Sequence, residues 1–259
     1  MVSYLDQLFG LDGRVAALTG AGGHLCGEMS RALGKAGCKV AVLDVRPEKA
    51  EAVAEQIIET GGTAVGLGCD ATEKGELERS LAQIVEAFGP VSIAVNGAGT
   101  NASTPYLEIT LEDWKNVFDT QINSTFLGCQ VFGAHMLENG GGSIVNISSA
   151  SAGPPLSKAF AYSAAKAGIK NLTQNLGREW ATQGVRVNAI RPGFFPTDWN
   201  RKNFITSERE AAILGHTPMG RYGEVEELVG ALIWLASDAA SFVTGAEIAV
   251  DGGYSAMTI

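Results

Sequence analysis

From end to end the chain alternates between short, apolar, β-branched runs and longer stretches of helical periodicity. Residues 14–18, 39–43, 63–67, 91–95, 143–147, 185–190 and 246–250 read as strands. Between them, apolar residues recur at helical spacing. Leu77, Leu81, Ile84, Val85 and Phe88 form one such set, and Ile169, Leu172, Leu176 and Trp180 another. Strict β–α alternation admits few folds. It predicts a parallel sheet with right-handed crossovers and helices on both faces, a doubly wound α/β architecture of about seven strands. The length of 259 residues suits one domain covering residues 1–259, and no repeat or linker divides it. One stretch breaks the pattern. Residues 194–218 carry polar and aromatic side chains without a strand, and are expected to form a loop over a binding site.

Composition excludes several classes of function. The formal net charge is −9 and no Lys/Arg cluster interrupts it, which argues against binding to nucleic acid or to an anionic membrane. No apolar run reaches the length of a membrane span, and the first residues lack the features of a signal peptide. Cys26, Cys38, Cys69 and Cys129 show neither a CxxC pair nor metal-ligand spacing, so reduced thiols in the cytoplasm are expected. His24, His135 and His216 are scattered, and no metal is expected.

Chemistry-bearing residues gather where the strands end. The first strand runs into Thr19-Gly-Ala-Gly-Gly-His-Leu-Cys-Gly27, a turn that can point backbone N–H groups and a helix N-terminus at a phosphate. Asp44, closing the second strand, can accept from both hydroxyls of an adenosine ribose and repel a 2′-phosphate; alternatively it is an acid ahead of a helix begun by Pro47. Arg46 stands two residues on. Asp70 can meet an adenine amino group or cap the next helix. Asn96-Gly-Ala-Gly99 leaves room for a flat ligand. Ser148-Ser149 closes the fifth strand, and the ten residues 150–159 must bring Ser149 to Tyr162. Asn123, a poor helix former, sits in a helical stretch and could hold a water or a backbone group near Lys166. Tyr162 and Lys166 lie four apart, on one helical face, where the ammonium favours the phenolate and lowers the Tyr pKa toward usable acid–base chemistry.

Taken in order and at their spacing, Thr19-Gly20, Asp44, Asn96-Gly-Ala-Gly99, Asn123, Ser149, Tyr162-Ser-Ala-Ala-Lys166, Pro192-Gly193 and Asp251-Gly-Gly253 resemble the short-chain dehydrogenase/reductase family over nearly the whole chain. The resemblance implies a Rossmann-type fold and hydride transfer between a nicotinamide and a secondary alcohol or ketone. It gives Tyr162 as the proton donor or acceptor and Lys166 as the group that lowers its pKa and binds the nicotinamide ribose. Ser149 orients the substrate oxygen, and Asn123 holds a water linked to Lys166. The implied cofactor residues are Gly20, Gly23, His24, Leu25, Asp44, Asp70, Ala71, Asn96, Gly97, Ala98, Tyr162, Lys166, Pro192, Gly193 and Thr197, with NAD (NADH) favoured by Asp44. One departure stands out: His24 and Cys26 replace glycines of the family's pyrophosphate loop.

The altered loop, with Pro192-Gly-Phe-Phe-Pro-Thr197, Trp199-Asn-Arg201, His216-Thr-Pro-Met-Gly-Arg221 and Phe242-Val-Thr-Gly245, resembles members acting as mannonate (fructuronate) oxidoreductases. That resemblance implies a sugar or sugar-acid substrate, with Ser149, Phe194, Asn200 and Arg201 as contacts. An Arg suits a carboxylate, although Arg201 and Lys202 also read as solvated loop charges. Two alternatives stay open: a 3-oxoacyl thioester reductase, and a nucleotide-binding sensor without catalysis. The family resemblance also implies a homotetramer packed through the apolar C-terminal part of the chain.

Overall fold

The computed structural model describes residues 3–100, 104–154, 156–197 and 205–258. Strands β1 (Val15–Thr19), β2 (Lys39–Asp44), β3 (Thr63–Gly68), β4 (Val91–Asn96), β5 (Gly142–Ile147), β6 (Val185–Pro192) and β7 (Glu247–Val250) form one sheet in the order β3-β2-β1-β4-β5-β6-β7. Each adjacent pair is parallel. The strands lie close to their expected positions. β6 runs on through Pro192, and β3 stops at Gly68 instead of reaching Cys69 and Asp70.

The helices are α1 (Tyr4–Phe9), α2 (His24–Lys35), α3 (Pro47–Glu59), α4 (Lys74–Phe88), α5 (Leu111–Phe118), α6 (Ser124–Glu138), α7 (Phe160–Trp180), α8 (Ser207–Gly215) and α9 (Val229–Ala236). A π-helical turn, Asp119–Asn123, joins α5 to α6. Alternation along the strands divides the core into two layers. Ala16, Leu18, Val40 and Val42 pack with Met29, Leu33, Ile57 and Leu232 on one face; Val15, Ala17, Ala41 and Leu43 pack with Leu77, Ile84, Phe132 and Met136 on the other. Buried on both faces, the central strands read as near-continuous apolar runs, which is why the sequence pattern was so plain.

The loop expectation for 194–218 needs correction, because α8 lies inside that stretch. Thr206 caps it by accepting from the Arg209 N–H, Glu208 and Glu210 lie in the first turn, and good helix formers follow. Among the described residues no helix is long and apolar enough to cross a membrane, and no cluster of three His, Cys, Asp or Glu could hold a metal.

Candidate active site

The strand order reverses between β1 and β4, and a cleft of about 840 Å³ opens at the carboxyl ends there. Gly20, Gly23, His24, Leu25, Asp44, Asp70, Ala71, Gly97, Ala98 and Thr197 line it, as anticipated for a cofactor. Gly20 has φ +65°, and a Cβ there would lie 2.7 Å from the Ala98 Cα, so the β1–α2 turn and the β4 end approach as only glycine permits. Helix α2 starts at Gly23 with no side-chain cap and no acidic residue in its first turn. Its positive end therefore faces the cleft with no acid in its own first turn, which suits a pyrophosphate. The two departures from the family loop fit this geometry in different ways. His24 is exposed, whereas Cys26 is buried with its Sγ against Gly97, where any Cβ would overlap it. Burial pushes the Cys26 thiol up to about 12, so the group is a neutral packing atom.

Asp44 is buried at the end of β2. Its Oδ2 accepts from the Gly22 N–H at 3.1 Å, and its Oδ1 accepts from the Arg46 N–H at 3.1 Å and Nε at 3.0 Å. The carboxylate is thus held in place, and the half-exposed Arg46 guanidinium offsets part of its charge. Asp70 does not cap α4. Its Oδ1 accepts from the Thr72 N–H and hydroxyl at 2.9 and 2.7 Å, closing a local turn, and Glu73 occupies the cap position.

Beyond the cleft, Tyr162 and Lys166 share one face of α7 as their spacing requires. Lys166 Nζ lies 5.5 Å from the Tyr162 ring centroid and donates to the Ile147 carbonyl at 2.6 Å. Ile147 itself lines the cleft, so the ammonium stands at its edge. The Ser149 hydroxyl lies near enough to Tyr162 to act on its pKa, and Ser149 Oγ accepts from the Ser151 N–H and meets the Ser151 hydroxyl at 3.1 Å. The residues between Ser149 and Tyr162 therefore close the gap. The expected depression of the Tyr162 pKa is not what this environment produces. Burial raises it, Ser149 opposes the rise, and burial also pulls Lys166 down to about 8. Desolvation moves both groups toward their neutral forms, yet Lys166 at about 8 stays largely an ammonium at neutral pH. Held together, the phenol, hydroxyl and amine can move a proton at one oxygen.

Other expectations are not met. Asn123 is exposed, ends the π-turn, and donates to Asp119 Oδ1 at 2.6 Å, Asp119 lining the cleft. The buried polar side chain of that turn is Gln121. Its Nε2 donates to the Thr100 carbonyl at 2.6 Å, and its Oε1 is buried with no protein partner among the described residues. Asn96 is also turned away from the cleft, its Nδ2 donating to Asn146 Oδ1 at 2.9 Å inside the core. Gly193 is needed for close approach to Asp251, 2.7 Å from a would-be Cβ to its Cα, and Pro192 is buried at the end of β6. Phe194 packs edge-to-face on Tyr254 and lines a separate cavity of about 360 Å³, and its neighbour Phe195 lines both that cavity and the cleft. Asn200 and Arg201 lie outside the described residues. Gln121, Thr100 and Phe195 were missed; a buried Gln beside the poorly helical Asn123 was the available signal.

Comparison with known proteins agrees with this geometry. A family model described as enoyl-(acyl carrier protein) reductase matches residues 24–255. The chain is 40% identical over 267 residues to an uncharacterized oxidoreductase, UxuB, of Bacillus subtilis, covering 95% of this chain and 96% of that one. Among solved structures it resembles a gluconate 5-dehydrogenase from Burkholderia cenocepacia in complex with NADP and tartrate, with TM-score 0.93, 31% identity, and coverage of 99% and 100%. It also resembles a Haemophilus influenzae protein provisionally named a D-mannonate oxidoreductase, with bound NAD, at TM-score 0.89, 35% identity, and coverage of 96% and 97%. With its sheet order, its glycine-lined cleft and its Ser149–Tyr162–Lys166 cluster accounted for, the chain belongs to the short-chain dehydrogenase/reductase family of oxidoreductases.

Proposed function

We propose that the protein interconverts a secondary alcohol and a ketone on a sugar acid, using NAD(H), with Tyr162 as general acid/base. The observation that carries this reading is Lys166 Nζ 5.5 Å from the Tyr162 ring, with the Ser149 hydroxyl near enough to act on the phenol, at the edge of a glycine-lined cleft. The nicotinamide, when bound, supplies the hydride chemistry. The chain supplies the proton and the geometry. Ser149 donates to the substrate oxygen and fixes it beside the phenol. Tyr162 exchanges a proton with that oxygen, and the Lys166 ammonium stabilises the phenolate left behind. Because burial raises the Tyr162 pKa, the phenol starts protonated at neutral pH, the form needed for ketone reduction. Gly20, Gly23 and the N-terminus of α2 would hold the pyrophosphate, and Asp44 the adenosine ribose.

The buried Asp44 carboxylate supports NAD(H) over NADP(H), since a 2′-phosphate placed there meets a negative charge. Similarity to proteins named for gluconate and mannonate supports the sugar-acid class. The experiment is NADH and NADPH oxidation with 5-ketogluconate, fructuronate and a 3-oxoacyl thioester. Turnover of a keto acid with kcat/KM at least about tenfold higher for NADH is expected. Preference for the thioester with NADPH would support the acyl reading, which the family model's description favours. Measurable NADH binding without turnover of any of the three would sink the enzymatic reading. Four free, buried cysteines support a cytoplasmic setting. The edge position of β7 and the fully exposed Phe242 support a homotetramer, which light scattering of a monomer would overturn.

A further inference from the structure

Behind the candidate site lies a buried carboxylate that the proposed chemistry does not use. Glu247, on the edge strand β7, has a side chain only 8% exposed. A carboxylate withdrawn from water must be paired. Glu247 draws partners from three other elements. Its Oε1 accepts from the Ser148 hydroxyl at 2.6 Å. Its Oε2 accepts from Arg191 Nη1 at 3.1 Å and lies 3.8 Å from Lys170 Nζ.

The placement of these partners is informative. Ser148 follows β5, and β6 separates β5 from β7, so the bond reaches across two strand spacings, roughly 9–10 Å of sheet. It is short and charge-assisted, the strong kind of hydrogen bond. Ser148 also sits between two atoms of the candidate site. The carbonyl before it, on Ile147, receives Lys166 Nζ, and the hydroxyl after it, on Ser149, acts on the Tyr162 phenol. In extended chain successive side chains face opposite ways, so Ser148 can be fastened from behind while Ser149 faces forward. Lys170 lies one helical turn beyond Lys166 on the same face of α7. One carboxylate therefore holds both the strand end that carries Ser149 and the helix that carries Tyr162 and Lys166.

We propose that Glu247 is a positioning residue: acting through Ser148 and Lys170, it braces the end of β5 against α7 and sets the geometry between Ser149 and Tyr162. The proposal rests on the reading of Ser149 and Tyr162 given above. A loss of alignment near 1 Å costs up to about a hundredfold in rate, whereas most of the cleft's wall lies around β1–β4, away from Glu247.

The test compares Glu247→Ala, Glu247→Gln and the milder Ser148→Ala as full chains. With a keto acid that the wild type reduces, kcat is expected to fall at least about fivefold in Glu247→Ala and Ser148→Ala, with the NADH Kd within twofold of wild type. Glu247→Gln keeps an acceptor for Ser148 and loses the Lys170 link to α7, so its kcat should fall between those of wild type and Glu247→Ala. Hydrogen exchange of residues 147–154 with NADH bound needs no substrate. Exchange there should speed at least about tenfold in Glu247→Ala and stay slow in Glu247→Gln. If the wild type turns over no keto acid, the functional reading fails while the exchange measurement still decides the brace. Unchanged exchange and kcat in Glu247→Ala and Ser148→Ala, or a Glu247→Gln variant as impaired as Glu247→Ala, overturns the proposal.

Discussion

Gly97 and Cys26 allow a sharp test of how this cleft is built. A Cβ added at Gly97 would overlap Cys26 Sγ and stand 3.3 Å from both Ile147 Cγ1 and the Thr19 carbonyl oxygen. Ordinary contacts lie at about 3.5–4.0 Å, so every neighbour is too close and the sulfur far too close. Cys26 is buried, and Thr19 and Ile147 belong to the central strands, so none can retreat freely. Overpacking of this kind costs about 1–3 kcal/mol, and the upper half is expected for Gly97→Ala. Cys26→Ala removes the sulfur and leaves a small void, about 1 kcal/mol. In the double variant a new methyl enters the space the sulfur vacated, and the loss should be about 1 kcal/mol in total. The coupling energy is then about −2 kcal/mol or more negative. Urea unfolding followed by tryptophan fluorescence measures all four corners of the cycle. Because both residues line the cleft, the NADH Kd should follow the same pattern, weakened in Gly97→Ala and recovered in the double variant. Additive single effects, with coupling under about 0.5 kcal/mol, would refute the reasoning.

Tyr162→Phe should cut kcat by about 10²–10⁴ while leaving the NADH Kd within twofold, measured by turnover and fluorescence titration; equal losses in both would assign Tyr162 to binding instead. Gln121→Ala removes the clamp on the Thr100 carbonyl and the buried Oε1 together, so it should raise the NADH KM several-fold, whereas Asn123→Ala should leave kinetics unchanged. Stability should fall in alkali. Burial raises Cys26, Cys38 and Cys129 from 9.0 to about 12, so between about pH 9 and 10.5 the folded chain keeps three protons that the unfolded chain loses. Lys166, lowered from 10.5 to about 8, works the other way and has shed its proton in the folded state. Among these four groups the net difference of two protons lowers unfolding free energy by about 2.7 kcal/mol per pH unit in that window, and the raised Cys69 thiol adds to the fall. Cys129→Ala should flatten the slope by about half, as read from urea midpoints across the window.

The sheet was legible because a strand buried on both faces leaves an apolar run that no solvent-facing helix imitates. Gly20, Asp44 and Gly97 were legible because a strand end fixes where its next residues point. The misplacements share a physical cause, a local change of phase. Asn123, in a stretch that reads as helical, is expected near Lys166. The π-turn over Asp119–Asn123 winds differently, and it turns Gln121 inward and Asn123 out. Just past β6, Phe194 lines only the cavity beside Tyr254 while Phe195 reaches both that cavity and the cleft. The Tyr162 pKa went astray for another reason: sequence displays the Lys166 charge and hides the burial that outweighs it.

The two halves of the sheet use different chemistry, and this separation explains how the altered pyrophosphate loop is tolerated. Around β1–β4 the cleft is shaped by backbone: Gly20, Gly97 and the uncapped start of α2. What such a wall needs is close approach, so a Cys can stand in place of a glycine provided the partner strand offers a glycine to receive it, as Gly97 does for Cys26. Around β5–β7 the site is made of side chains, with Ser149, Tyr162 and Lys166 in front and Ser148, Lys170 and Glu247 behind. There each group is fixed by a hydrogen bond or ion pair to the next, and a substitution has no backbone to fall back on. Gln121 works between the halves. Its amide holds the Thr100 carbonyl on the β4 side, while the next residue, Ile122, packs against Gly168 of α7. A π-turn suits that position because its extra residue per turn lets one short segment face both halves at once.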